Sequence, residues 1–147
     1  MNSNSEASET RPSGGIIFDN GGRVVIVTGG CSGIGKAICE NFARSGATVV
    51  CADVDTAGGR NLPEGVEFFK CDTSRKEDCD TVVDWTVERF GGLDVLVNNA
   101  AVQPKESYRP IHELPAAVWD RVVAVNLSGY TFMAMSALRH MQQQRSG

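Results

Sequence analysis

The chain has 147 residues, 41% of them hydrophobic and 22% charged, with a formal net charge of −4, which is the size and composition of one soluble globular domain with a real core. An acidic balance without clustered Lys and Arg excludes the usual footprint of nucleic-acid binding. No apolar run reaches the roughly 18 to 20 residues of a membrane span, and the N-terminus lacks the basic start and apolar core of a secretory leader. We therefore expect a cytoplasmic protein without nucleic-acid or membrane partners.

Residues 1–15 are rich in Ser, Glu and Gly and read as a disordered tail, with too little apolar surface to offset the entropy of ordering. From Arg23 onward, short apolar runs ending in Gly, Asp or Asn alternate with segments of helical spacing, the pattern of β-α-β units. Val24-Val25-Ile26-Val27 is apolar throughout, as befits a central parallel strand covered on both faces. A glycine-rich turn follows. The spacing then predicts a helix from about Gly33 to Arg44 that buries Ile34, Ala37, Ile38 and Phe42, with Gly46 at its C-terminal cap.

Thr48 to Ala52 reads as the second strand, ending at Asp53, and Val66 to Cys71 as the third, ending at Asp72. Thr73 or Ser74 is placed to cap a helix carrying Val82, Val83, Val87 and Phe90 and closing at Gly91-Gly92. Leu93 to Val97 is the fourth strand, followed by Asn98-Asn99-Ala100-Ala101. After a Pro-containing loop, one long helix is predicted over about 116–143, with a stripe through Trp119, Val122, Val123, Tyr130, Met133, Ala137, Leu138 and Met141. Cys31, Cys39, Cys51, Cys71 and Cys79 are scattered, without a CxxC pair, and read as reduced thiols in small packing positions. His112 and His140 carry no ligand pattern, so no metal is expected.

In a strand-to-helix turn, glycines let the backbone approach a diphosphate, and the first-turn N–H groups with the helix dipole favour the anion. Gly29, Ser32, Gly33, Ile34 and Gly35 occupy that turn. A glycine-rich turn alone is common; here it follows a buried strand and opens an amphipathic helix, as the motif requires. A rival exists in Gly30-x-x-x-x-Gly35-Lys36-Ala37, which nearly spells the triphosphate loop of NTPases. That loop needs a Ser or Thr hydroxyl for magnesium where Ala37 has none. Asp53 stands 20 residues after Gly33, where a dinucleotide fold places the carboxylate that accepts from the adenosine ribose and repels a 2′-phosphate. NAD is thereby favoured over NADP. The alternative for Asp53, and equally for Asp72, is a residue that merely closes a turn.

In register, Thr28-Gly29-Gly30-Cys31-Ser32-Gly33-Ile34-Gly35, Asp53, Cys71-Asp72-Thr73, Asn98-Asn99-Ala100-Ala101 and Val125-Asn126-Leu127 resemble the short-chain dehydrogenase/reductase family, with 3-oxoacyl reductases the nearest sub-type by general look. The resemblance implies a Rossmann-type α/β fold, a doubly wound parallel sheet of order 3-2-1-4-5-6-7, truncated here after about four strands and the following long helix. Residues 16–147 would be an incomplete NAD-binding domain. It implies an adenine contact at Asp72 and cofactor contacts at Thr73, Asn99 and Ala100, where the family usually has Gly in place of Ala101. Asn126 takes the family's role of holding a water in the proton relay, against the plainer alternative of a structural amide. It further implies an alcohol or ketone substrate and a homo-oligomer formed through the 116–143 helix.

The family's proton transfer relies on a Tyr four residues before a Lys. The positions four before Lys36, Lys70, Lys76 and Lys105 hold Ser32, Val66, Asp72 and Ala101. The expectation is a truncated NAD-dependent oxidoreductase, inactive by itself, with an exposed fourth strand that invites association. The alternative is a non-catalytic dinucleotide-binding or dimerisation module.

Overall fold

The computed structural model describes residues 18–147; the tail expected over 1–15 lies outside the described residues. Four strands, β1 (Val24–Thr28), β2 (Thr48–Asp53), β3 (Val66–Lys70) and β4 (Val95–Val97), form one parallel sheet of order β3-β2-β1-β4. Val25 lies opposite Val49 on one side and Val95 on the other. Helix α1 (Gly33–Arg44) joins β1 to β2, α2 (Lys76–Phe90) joins β3 to β4, and α3 (Ala116–Val123) and α4 (Tyr130–Gln144) follow. This is the doubly wound Rossmann-type arrangement. No helix among the described residues is long and apolar enough to cross a membrane.

The apolar β1 run serves two cores, because successive side chains leave a strand on opposite faces. Val25 and Val27 join Val49, Cys51, Cys39, Ile38 and Phe42 beneath α1. Ile26 joins Val50, Ala52, Val82, Val83, Leu93, Met133 and Ala137 beneath α2 and α4. Each fully buried valine contributes about 1.5 to 3 kcal/mol, so the run stabilises both layers at once. Helix α1 ends with Gly46 N–H on the Ala43 carbonyl and Ala47 N–H on that of Phe42, both 3.1 Å, the paired bonds of a Schellman cap.

Five sequence expectations change. In α1 the buried positions are Gly35 and Cys39, with Ile38, Phe42 and Ala43 packed beside them, while Ile34 and Ala37 face outward; the helix is rotated because Gly35 is pressed onto the end of β1. Neither Thr73 nor Ser74 caps α2. Instead Asp72 Oδ1 accepts from the Ser74 N–H and hydroxyl, and Asp78 of the first helical turn reaches back to the Asp72 N–H at 3.0 Å. Strand β3 ends at Lys70 rather than Cys71, and β4 begins at Val95 rather than Leu93. The long helix is interrupted by a π-helical stretch, Ala124–Gly129, between α3 and α4. Trp119 and Leu138, placed on its buried stripe from spacing, are exposed, since the wider π turn shifts the phase of every residue across it.

Candidate cofactor cleft

All strands point their C-terminal ends toward one cleft of about 940 Å³, lined by Gly29, Ser32, Gly33, Ile34, Gly35, Asp53, Asp72, Thr73, Asn99 and Ala100. Ten of the residues singled out from the sequence thus share one space. In a parallel α/β sheet this is the side on which ligands bind. Ile34, outside the core, forms part of the cleft wall, 76% exposed.

The floor is built by Thr28. Its buried hydroxyl accepts from the N–H groups of Asn99 (2.9 Å) and Ala100 (3.0 Å) and donates to the Val97 carbonyl (3.3 Å). The Asn99 amide donates back to the carbonyls of Thr28 (2.9 Å) and Gly29 (3.3 Å). The ends of β1 and β4 are thereby tied into one surface. Gly35 seats α1 on it: a Cβ there would lie 2.1 Å from the Gly29 carbonyl oxygen and 2.5 Å from Asn99 Nδ2. Gly33, at φ +51°, is the reverse case, since a Cβ there would meet nothing within 4 Å.

Ser32 occupies the N-cap position of α1 without a side-chain capping bond. The first-turn N–H groups, which have no intrahelical partner, are left for another acceptor beside the open space at Gly33. The cradle therefore fits a dinucleotide diphosphate. Asp53, at the end of β2, accepts the Cys31 N–H on Oδ2 and the Asp55 N–H on Oδ1, each at 3.0 Å. The carboxylate is thus fastened directly to the glycine turn. Asp72 also lines the cleft, and Thr73 is held against the π stretch, where a Cβ on Gly129 would stand 3.0 Å from the Thr73 carbonyl oxygen.

Asn126 lies apart. It lines a neighbouring cavity of about 570 Å³ with Ala101, Val102, Gln103, Ser107 and Val122. Its Oδ1 accepts the Val102 N–H (2.9 Å) and its Nδ2 donates to the Val102 carbonyl (3.1 Å). This two-way clasp ties the π stretch to the segment after β4, as a structural amide would, and leaves one N–H and one lone pair unused. Ala101 borders both cavities and is itself exposed. Thr28 is the organising residue that spacing did not single out as a site. A hydroxyl at the end of an otherwise apolar strand was the available signal, because a buried hydroxyl must find partners. Val54 and Arg121 also line the cleft and carried no such signal.

Cys31 of the turn and Cys51 of β2 are buried. Burial, together with the Asp53 and Asp55 carboxylates, pushes the Cys31 thiol up to about 11. Hydrogen bonding to Cys39 and burial hold Cys51 far above the ordinary thiol range. Both are protonated at neutral pH.

Residues 23–147 match the family model described as short chain dehydrogenase. The chain is 44% identical over 133 residues to sex determination protein tasselseed-2 of Zea mays, covering 86% of this chain and 40% of that protein. It is 39% identical over 127 residues to L-fucose dehydrogenase of Oryctolagus cuniculus, covering 84% and 44%. The crystal structure of a short-chain dehydrogenase/reductase from Brucella melitensis, named as glucose/ribitol dehydrogenase, superposes with a TM-score of 0.78 at 34% identity, covering 85% of this chain and 55% of that one. The chain spans between 40% and 55% of the length of these three proteins.

Proposed function

Because the chain belongs to the short-chain dehydrogenase family, we propose that it is the dinucleotide-binding part of an oxidoreductase that prefers NAD to NADP and acts on an alcohol or ketone. When bound, the nicotinamide supplies the hydride acceptor or donor. In this reading the N–H groups of Gly33, Ile34 and Gly35 hold the diphosphate, Asp53 takes the adenosine ribose hydroxyls, Asp72 and Thr73 border the adenine, and Asn99 and Ala100 form the floor. Asn126 orders the chain after β4 and offers its spare amide groups to the second cavity. None of the four lysines has a Tyr four positions before it, so the proton transfer is not assigned to any of these residues.

The observation that carries the cofactor preference is the Asp53 bond to the Cys31 N–H. It holds a carboxylate at the edge of the cleft, where it can accept from two ribose hydroxyls and where a 2′-phosphate meets like charge. Calorimetric titration of NAD and NADP into the wild type and Asp53→Ala tests it. The wild type should bind NAD at least about tenfold more tightly, a difference of about 1.4 kcal/mol, and the variant should lose most of that preference. Equal wild-type affinities would refute the assignment.

Association through the long helix has its own support. Leu127, Met135 and Leu138 are exposed on the π stretch and α4, an apolar face of the kind that covers itself by pairing. We propose a second copy of the chain as its partner.

A further inference from the structure

At the glycine turn, three potential metal ligands converge, one from the turn itself and two from β2. The sulfurs of Cys31 and Cys51 and a carboxylate oxygen of Asp53 all lie within 4.8 Å of one another. The two sulfurs are 3.7 Å apart. Two sulfurs bound at about 2.3 Å to one tetrahedral ion stand about 3.8 Å apart, so the pair already has the spacing of a shared zinc-class ion. A disulfide would need the sulfurs at about 2.05 Å.

The arrangement is held by the fold. Cys51 and Asp53 are two residues apart on β2 and so leave the strand on the same face. Cys31 is fixed by its N–H on Asp53 and its thiol on the Asp55 carbonyl at 3.4 Å. Gly30 makes the room: a Cβ there would stand 2.7 Å from the Cys51 sulfur and 2.8 Å from that of Cys39. Any other residue at position 30 would press on the Cys51 side chain and displace its sulfur. Asp53 also borders the cleft, the side from which an ion, and a water for its fourth position, would enter.

We propose that Cys31, Cys51 and Asp53 form a binding site for a thiophilic divalent ion of the zinc class, and that an ion held there withdraws Asp53 from the ribose hydroxyls, so that metal and dinucleotide exclude each other. On binding, one M²⁺ replaces two thiol protons, which leave to solvent, and forms two metal–sulfur bonds and one metal–oxygen bond. The exclusion rests on the ribose role of Asp53 given above; the ion site itself does not.

Cadmium alone serves as the probe, since cadmium–thiolate coordination gives a charge-transfer absorption in the ultraviolet. The whole chain should take up one equivalent with two-thiolate intensity, displaced by zinc. Cys31→Ser and Asp53→Asn should each weaken uptake at least tenfold, while Cys71→Ser, in the other core, should leave it unchanged. Cys51→Ser alters a fully buried position, so Cys31→Ser and Asp53→Asn carry the test if it does not fold. Absence of the band overturns the site and shows packed thiols only, and an undiminished band in Cys31→Ser overturns it by showing that the metal is held elsewhere. One equivalent of zinc should then weaken NAD binding at least tenfold in the wild type and not in Cys31→Ser, each compared with the same variant without metal. Cadmium uptake through Cys31 with no effect on NAD overturns the exclusion. In that case metal-free Asp53→Ala distinguishes the causes: unchanged NAD affinity refutes the ribose role, and lost affinity refutes the competition alone.

Discussion

Replacing Gly35 by Ala isolates the contact that seats α1 on the sheet. The added methyl would lie 2.1 Å from the Gly29 carbonyl oxygen, against about 3.5 Å for an unstrained heavy-atom contact, a shortfall of about 1.4 Å. The obstacle is backbone at the end of β1, so the helix must lift or the turn must open. Overpacking of this kind costs about 1 to 3 kcal/mol. The methyl also comes within 2.5 Å of Asn99 Nδ2 and displaces its bond to the Thr28 carbonyl, worth about 1 kcal/mol. Against this, Ala gains about 1 kcal/mol over Gly in helix propensity. The net expectation is a loss of about 1 to 3 kcal/mol. With a urea slope of about 1.5 kcal/mol per molar, the midpoint falls by about 0.7 to 2 M, and dinucleotide binding weakens with it. Gly33→Ala is the control, because it meets open space and carries only left-handed backbone strain of about 1 to 2 kcal/mol. A Gly35→Ala chain as stable as the wild type, or more stable, would refute the close-seating account.

Thr28→Val keeps the shape of the floor and removes its hydroxyl. The N–H groups of Asn99 and Ala100 then lose their acceptor, and urea unfolding should show a loss of about 2 to 4 kcal/mol. Asp80 accepts from Lys76 at 2.7 Å and from the Ser136 hydroxyl at 2.5 Å, bonds that hold its carboxyl below the ordinary carboxylate range. A lowered folded value stabilises above the unfolded value of about 3.9 and is lost as pH falls through the folded one. Asp80→Asn should therefore melt below the wild type at pH 7, and the gap should close in scans below about pH 4. Leu138→Asp places a charge on the exposed face of α4 and, if that face pairs two copies, should shift the chain from dimer to monomer in light scattering at unchanged helix content.

Much of the architecture is legible because buried parallel strands cannot be written otherwise than as continuous apolar runs. Val24 to Val27 announces a central strand, and the carboxylates and amides that end the other runs mark where the strands leave the core. The turn is legible for a similar reason, since glycines at 29, 33 and 35 meet distinct demands of space and backbone angle. The face of α1 was not legible. Ile34 and Ala37 satisfy helical periodicity as well as Cys39 and Ala43 do, and only the contact of Gly35 with the end of β1 chooses between them. The turn into α2 was not legible either, because Asp72 binds Ser74 while Asp78 of the first helical turn reaches back to the Asp72 N–H, and neither Thr73 nor Ser74 occupies the N-cap position.

From its residues alone this chain determines the order of strands and helices, the phosphate-type turn and the acid that follows the second strand, because each is written within about a dozen neighbouring residues whose spacing reflects backbone geometry. Only the tertiary structure decides that Asp53 is bonded to the Cys31 N–H, that the Cys31 thiol meets that of Cys51, that Thr28 ties β1 to β4, and that Asn126 clasps Val102. Those contacts join positions 20 to 72 residues apart. Their geometry depends on strand register and on how closely a helix can approach a sheet, which no local pattern of side chains encodes.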